Sequence, residues 1–331
     1  MKKTGLICLL FLAGHAAISQ VFTIKEMRDS TYMFPTIQSS QRPEVAKKIN
    51  AVLGRDWSFD INAKNPFENF SEIMEESFSY SVSALNERLI SMELITEYAA
   101  CGLHINRSDY VFDSKTGAPV DINKVFGAEG MVKLKRSLAK ARKAVLKSAA
   151  ADTSDYHWEE YKQCLADAGE TVELERLLFR DEGIEFWAGS CLEGTPYEYE
   201  ADLANGPYEY SLGLLLPMLT PYGYSLFVNA ETGPVKSLMR GTVDGKYPIS
   251  LTLMPSTGTD GIIGMVVYDR VGIPINVSGT MNGNQIVFHE LDDSKNPISN
   301  IEVVWDGAKL TGSFTNLKSK KQMPFVASVV K

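Results

Sequence analysis

The segment between Cys101 and Gly117 concentrates residue types that carry chemistry in enzymes. It contains the Cys101 thiol, the His104 imidazole and two carboxylates, Asp109 and Asp113. A cysteine and a histidine act as nucleophile and base when their side chains meet. Residues three apart on an extended or turning segment tend to point in different directions, however. The spacing therefore favours no catalytic pair.

The tripeptide Lys115-Thr116-Gly117 and the tetrapeptide Ser137-Leu138-Ala139-Lys140 imitate two motifs of serine β-lactamases. In those enzymes the S-x-x-K motif precedes K-T-G, whereas here the order is reversed. Ser137 also lies inside a predicted helix rather than at its start, and no S-D-N element lies between the two motifs. We reject this interpretation.

Other motifs with a chemical mechanism are missing from the sequence. His157 and His289 lie in separate contexts, and there is no C-x-x-C, H-x-x-x-H or H-E-x-x-H spacing for a metal. G-x-S-x-G and Walker-type loops are also missing. We predict no catalytic residue, no metal site and no cofactor.

A structural turn accounts for the polar residues of this segment without any catalytic role. Asp113 can accept hydrogen bonds from backbone amides ahead of it, and Gly117 supplies a permissive backbone conformation. We therefore predict that Asp113, Thr116 and Gly117 are structural turn residues.

The first nineteen residues have the three parts of a secretory signal. Two lysines precede an apolar run, and Ala17-Ile18-Ser19 supplies a cleavage pattern before Gln20. We predict cleavage near Ser19/Gln20 and a periplasmic or secreted protein without a membrane span. An oxidising compartment permits one disulfide among Cys101, Cys164 and Cys191, and the three possible pairings stay open.

The chain is acidic, with a formal net charge of −8. An acidic protein gains nothing from phosphate backbones, which argues against a nucleic-acid partner. A cationic partner outside the cytoplasm suits this charge.

The elements that must position any site form two predicted regions. Residues 20–235 alternate helical and strand patterns and predict an α+β domain. Its predicted elements are a helix at 43–54, a hairpin at 77–100 turning near Asn86-Glu87, a strand at 120–126, a helix at 130–150 with a basic face, a helix at 156–168, a strand at 183–192, and a strand entering a turn segment at 207–223.

From about Met239 the pattern changes to eight short strands. Asp244-Gly245, Asn282-Gly283 and Asp306-Gly307 lie between some of them and favour tight hairpin turns. We predict an all-β up-and-down meander closed into a small barrel over residues 238–331. Its interior should be filled largely by its own side chains, and residues 230–238 are the predicted linker.

Several segments together resemble a known family. The order is a β-hairpin, a C-G-x-H corner, then YVFDSKTGAPVDINKVF, followed by FRDEGIEFWAGSCL and ANGPYEYSLGLLLPML. These segments resemble an extracytoplasmic bacterial domain of unknown function. That domain occurs in lysozyme-binding anti-sigma factors of the RsiV type and as an accessory domain in some peptidoglycan deacetylases. The likeness covers 34–227 and is most specific at Asp113, Thr116, Gly117 and Phe126. The C-terminal strands are similar to small lipocalin-like β domains.

The resemblance implies an α+β fold and a binding or accessory role outside the cytoplasm. We expect an exported, non-catalytic envelope protein whose partner is a protein, such as a lysozyme, or a cell-wall glycan. The alternative is an envelope-directed hydrolase with a dispersed site. The predicted contact residues are Trp187, Pro207, Tyr208 and Tyr210, since aromatic side chains suit protein and sugar surfaces. Tyr208 and Tyr210 share one face of their strand, which is either surface or core.

Overall fold

The structure is a computed structural model, and it describes residues 21–29, 31–57, 67, 75–99, 103–192, 202–229, 233–256 and 260–330. The predicted signal at 1–19 and Cys101 lie outside these ranges, as does part of the predicted linker. Strand residues outnumber helix residues about two to one in the described chain, and the helices precede the barrel. No helix in the described ranges is long and apolar enough to cross a membrane.

A five-stranded sheet opens the fold. Its strands follow chain order, and only the β2–β3 pairing is parallel. They are β1 (Thr23–Asp29), β2 (Tyr32–Gln38), β3 (Glu75–Leu85), β4 (Leu89–Ala99) and β5 (Leu103–Asp113). β3 and β4 form the predicted hairpin, which is confirmed.

Helix α1 (Pro43–Asp56) lies between β2 and β3, as its sequence pattern predicts. Pro43 stands in the first helical turn, where its missing N–H costs nothing. Ala46, Ile49 and Leu53 are buried at helical spacing and join the aromatic core of the sheet. The sheet and α1 therefore share one apolar layer.

Two helices follow, α2 (Ile122–Ala149) and α3 (Trp158–Asp167). The strand predicted at 120–126 is wrong, because the Asp121 side chain accepts from the Asn123 N–H and begins α2 there. Val125 and Phe126 are buried as helix residues. Gly127 has φ +63° and kinks the helix after this first turn.

A small antiparallel sheet and two short helices complete this region. They are β6 (Leu174–Arg180), β7 (Gly183–Ala188), β8 (Tyr208–Ser211), α4 (Leu212–Leu215) and α5 (Pro221–Ser225). A disulfide joins Cys164 of α3 to Cys191, which follows β7. This is one of the three pairings that the sequence left open.

Eight antiparallel strands then close into a barrel in chain order, as the sequence predicts. They are β9 (Leu238–Val243), β10 (Tyr247–Pro255), β11 (Gly261–Tyr268), β12 (Pro274–Asn282), β13 (Gln285–Glu290), β14 (Ser299–Trp305), β15 (Lys309–Asn316) and β16 (Gln322–Val329). β16 pairs with β9 and closes the barrel. Buried apolar side chains from every strand fill its interior, among them Leu251, Phe288 and Phe325.

The outer wall of the barrel packs on the preceding region. The Tyr224 hydroxyl hydrogen-bonds the Thr252 hydroxyl, and Arg240 donates to the Leu219 carbonyl at 2.7 Å. Val267 points outward from β11 into the buried cluster of the N-terminal region. The division at 235/238 stays a prediction, because these contacts do not show how either part folds alone.

Candidate functional site

An open groove of about 700 Å³ lies between the five-stranded sheet and the β6–β7 hairpin. We call it the Trp187 groove. Its lining includes side chains from β4, β5, β6 and β7 and the segment before β8, among them Glu93, Asn106, Arg107, Arg176, Trp187 and Pro207.

Two carboxylates face each other beneath this groove. Glu93 on β4 lies directly opposite Asp109 on β5 in the strand register, so both side chains project from the same face. The two side chains are each only 10% exposed. Like charges directly opposite on adjacent strands repel each other, and burial strengthens the repulsion. This face of the sheet therefore requires a cation.

Arg176, from β6, supplies that cation. Its Nη2 lies 2.5 Å from Glu93 Oε1 and 2.8 Å from Asp109 Oδ1, and its Nε donates to Asp109 Oδ2 at 3.1 Å. The second oxygen of Glu93 accepts from Arg107 Nη1 at 3.1 Å. A guanidinium in two-point contact with a carboxylate is held in position and orientation. The four side chains form one fixed network.

Burial and the neighbouring charges shift the pKa values of Asp109 and Arg176 in opposite directions. Burial raises the pKa of Asp109, and the hydrogen bonds and charge of Arg176 only partly offset this. Burial acts to lower the pKa of Arg176, but its contacts with Asp109 and Glu93 outweigh that and raise it. Arg176 therefore stays protonated, and the carboxylate oxygens serve as its acceptors.

Arg176 also fixes the aromatic ring of the groove. Arg176 and Trp187 are paired across β6 and β7, and the guanidinium carbon lies 4.6 Å from the ring centroid. This geometry is a cation–π contact. Trp187 is half-buried, so the network orients a ring that still contacts the groove.

A second ion pair lines the groove on the same hairpin. Arg180 donates to both Glu185 oxygens, at 2.9 and 2.7 Å. The hydrogen bond to Glu185 raises the pKa of Arg180, and burial only partly opposes this. Arg180 is 46% exposed at its side chain, so this pair contributes little to folding stability. Its effect is to hold two charges in place at the groove surface.

The four predicted contact residues separate into two groups. Trp187 lines the groove, and so does Pro207, which is exposed. Tyr208 and Tyr210 are buried, at 8% and 6% exposure, and their hydroxyls donate to the Ala204 carbonyl and to Ser137 Oγ. A surface contact requires exposed rings, so these two tyrosines do not serve as one.

The alternation of β8 explains the burial. Tyr208 and Tyr210 point to one face of the strand, and that face packs against the core that includes α2, whereas Glu209 between them is exposed. Burial raises the pKa of Tyr208 to about 12. Both tyrosines are core residues.

The three predicted turn residues hold a loop at the end of β5. Asp113 Oδ1 accepts from the Lys115 N–H at 2.8 Å, and its carbonyl accepts from the Gly117 N–H at 2.8 Å. Thr116 Oγ1 accepts from the Ala118 N–H at 3.3 Å. Gly117 has φ +72°, and a Cβ there would lie 3.0 Å from the Val45 carbonyl oxygen. The loop therefore packs directly on α1.

The charged network was missed by sequence reasoning, although two signals pointed to it. Asp109 is one of the two carboxylates of the Cys101–Gly117 segment, and Glu93 interrupts a run of mostly apolar residues on β4. A carboxylate inside such a run needs a partner. Nothing in the sequence indicated that the partner is Arg176, which is 83 residues from Glu93.

The described side chains include no group of three or more His, Cys, Asp or Glu residues close enough to hold a metal ion. Cys101 and the side chain of His104 lie outside the described residues, so the judgement on that pair stays a prediction.

In comparisons with known proteins, no protein-family model matches the chain and no curated protein matches it. The site is therefore interpreted from its own geometry.

Proposed function

We propose that the protein is an exported, non-catalytic binding protein of the bacterial envelope, and that the Trp187 groove holds a cell-wall saccharide chain. The proposal includes a periplasmic or secreted location and an α+β domain of the RsiV-like type followed by a lipocalin-like barrel. The predicted signal at 1–19 and the disulfide between Cys164 and Cys191 support the location, because disulfides persist in oxidising compartments.

The observation that carries the proposal is the immobilised lining of the groove. Arg176 is fixed by two carboxylates, and it in turn stacks on Trp187. A ligand that meets prepositioned side chains loses less free energy in ordering them. The groove is therefore organised before any ligand arrives.

The size and chemistry of the lining suit a saccharide. The volume of about 700 Å³ lies within the range typical of ligand sites. Trp187 and Pro207 offer flat apolar surfaces for sugar faces, while Asn106 and the arginine and glutamate side chains can hydrogen-bond hydroxyl and amide groups. Such a mixture fits a polar, uncharged chain better than a purely apolar ligand.

The proposal is tested by titrating the protein with an oligosaccharide of β-linked N-acetylated amino sugars and following heat and tryptophan fluorescence. Trp187→Ala should weaken binding about tenfold or more, as loss of a central aromatic contact does. Trp158→Ala removes the same side chain type from α3, outside the groove lining, and should leave the affinity unchanged. If wild type and Trp187→Ala bind the oligosaccharide with equal affinity, the Trp187 groove is not the binding site.

A cationic protein is the second candidate partner, and the net charge of −8 favours it. Gel filtration with a lysozyme at low and at high salt tests it. A complex that forms at low salt and dissociates at high salt supports this partner, while separate elution under both conditions rejects it.

Hydrolysis is the third candidate, and the raised pKa of Asp109 is the observation in its favour. Against it, both Asp109 oxygens accept from Arg176, and a general acid or base needs an oxygen directed at substrate. Release of reducing ends from the oligosaccharide by wild type, abolished in Asp109→Asn, would establish hydrolysis and overturn the binding proposal.

A further inference from the structure

Helix α2 carries a row of four cations, Arg136, Lys140, Lys143 and Lys147, which we call the basic row. Their spacing of four, three and four residues places them within about 60° of arc and along about 16 Å of helix. The buried stripe of α2, including Leu138, lies on the opposite side. Arg136, Lys140 and Lys147 are exposed, and Lys143 is half-buried.

The neighbouring cations of α2 have partners. Lys133 pairs with Glu129 at 3.0 Å, and Lys135 pairs with Glu173 at 2.5 Å. Arg142 turns inward, with Nη2 3.1 Å from the Cys191 sulfur. By contrast, no side chain of the basic row makes an ion pair or hydrogen bond within the part of the chain that the structure describes.

The basic row lowers the stability of the helix and reduces the net negative charge of the chain. Like charges three and four residues apart destabilise a helix by a few tenths of a kcal/mol per pair. Residues 130–149 contain seven basic and no acidic residues, in a chain of net charge −8. Solubility does not explain them, because four cations bring the net charge closer to zero. A bound anion would offset the repulsion.

We propose that the basic row binds a linear polyanion, with successive phosphate or sulfate groups lying along the helix. The arrangement favours a chain, because the four charges form a single line. Three of the four are lysines, whose point charges respond to charge density rather than to one planar group.

A membrane surface fits less well. Helices that lie in a bilayer interface insert Trp, Phe or Leu beside their cations. Val132, at 45% exposure, is the large hydrophobic residue that the described part of α2 exposes. The basic row therefore lacks the apolar flank that insertion needs. The site is separate from the Trp187 groove and goes beyond the proposed function.

The experiment measures binding of long-chain inorganic polyphosphate to the full chain without its signal segment, with pyrophosphate as the short probe. We expect the long chain to bind at least about tenfold more tightly, because it can contact all four cations. Its association constant should fall with salt with a log–log slope of about −3, as about four contacts to a single-stranded polyanion give.

Lys140→Glu/Lys143→Glu should weaken polyphosphate binding about tenfold or more and make the salt slope shallower. Lys318→Glu/Lys321→Glu makes the same change in net charge at exposed positions of the barrel and should bind like wild type. Lys140→Gln/Lys143→Gln repeats the test if the glutamate variant fails to fold. Trp187→Ala should keep its polyphosphate affinity, so failure of the groove and failure of the basic row can be told apart.

Several results would overturn the inference. If the Lys140/Lys143 and Lys318/Lys321 variants weaken polyphosphate binding equally, the binding reflects the net charge of the protein and not the basic row. If pyrophosphate binds as tightly as polyphosphate, the site takes a single anion. Binding to vesicles of anionic phospholipid without binding to polyphosphate would assign the basic row to a membrane. Tighter binding to duplex DNA than to polyphosphate would assign it to nucleic acid.

Discussion

The barrel interior is largely apolar, whereas the N-terminal sheet buries charge between its strands. Around Glu93, Asp109 and Arg176 the packing depends on ion pairs with little solvent exposure. In the barrel, Glu290 is buried at 4% exposure and accepts from the Tyr268 hydroxyl at 2.7 Å, next to the buried Ser299, and apolar side chains fill most of the remaining interior. The barrel is built from neighbouring hairpins, while the N-terminal region depends on distant partners.

This difference indicates where a ligand site can form. A filled apolar interior leaves no room for a ligand and needs no polar partner. A charged network that reaches the surface fixes polar side chains where a ligand can meet them. We therefore place the candidate site at the Trp187 groove of the N-terminal region and not inside the barrel.

The largest expected effect comes from removing the cation that Glu93 and Asp109 share. Arg176→Met leaves Asp109 without a cation and Glu93 with Arg107 alone, so it should lower the free energy of unfolding by about 3–5 kcal/mol at pH 7. Arg180→Met, at the more exposed ion pair, is the matched control and should cost about 1 kcal/mol or less. Urea denaturation measures both.

The loss of stability in Arg176→Met should depend on pH. A carboxyl whose pKa is raised in the folded state binds its proton more tightly there, so stability rises as pH falls from 7 toward the ordinary carboxyl pKa. Without Arg176 the pKa of Asp109 should rise further, and the loss of stability should shrink at about pH 5. A loss independent of pH would mean that packing, not charge, holds this sheet.

A smaller effect should come from the disulfide. Cys164 and Cys191 are 27 residues apart, and replacing both by alanine should lower stability by about 3 kcal/mol through the larger entropy of the unfolded chain. Residues 238–331 contain no cysteine, so hydrogen exchange of the barrel strands should change less than that of α3 and β7. Equal loss of protection in both regions would show that they unfold as one unit.

The smallest effect should come from the buried carboxyl of the barrel. Burial raises the pKa of Glu290, despite its hydrogen bonds with Tyr268 and Ser299. Glu290→Gln keeps an acceptor for Tyr268 and removes the charge, so it should change stability at pH 7 by only about 1 kcal/mol, in the stabilising direction.

The raised pKa of Glu290 determines how the stability difference between Glu290→Gln and wild type changes with pH. Wild type gains stability as pH falls through the folded pKa toward the unfolded value, and the glutamine variant lacks this gain. Its advantage should therefore decrease between pH 7 and pH 5. If Glu290→Gln lowers stability, the barrel needs the carboxylate. The barrel would then depend on buried charge as the N-terminal sheet does.

Short-range patterns account for the successful fold predictions. The 77–100 hairpin turns near Asn86-Glu87, and Asp244-Gly245 joins β9 to β10 with positive φ at both residues. The error at 120–126 also has a local cause. A strand was predicted there as the end of the preceding strand region, but Asp121 caps a helix, and Val125 and Phe126 are buried as residues of that helix.

The sequence by itself determined the eight-stranded barrel and the basic face of α2, because periodicity and turn residues act over a few neighbouring positions. Only the tertiary structure decided that Tyr208 and Tyr210 lie in the core and that Trp187 lines a groove, since either face of an alternating strand can be covered. It also decided the network, in which Arg176 meets Asp109 from 67 residues away and Glu93 from 83. Such contacts depend on which strands the fold brings together, and no local pattern encodes that choice.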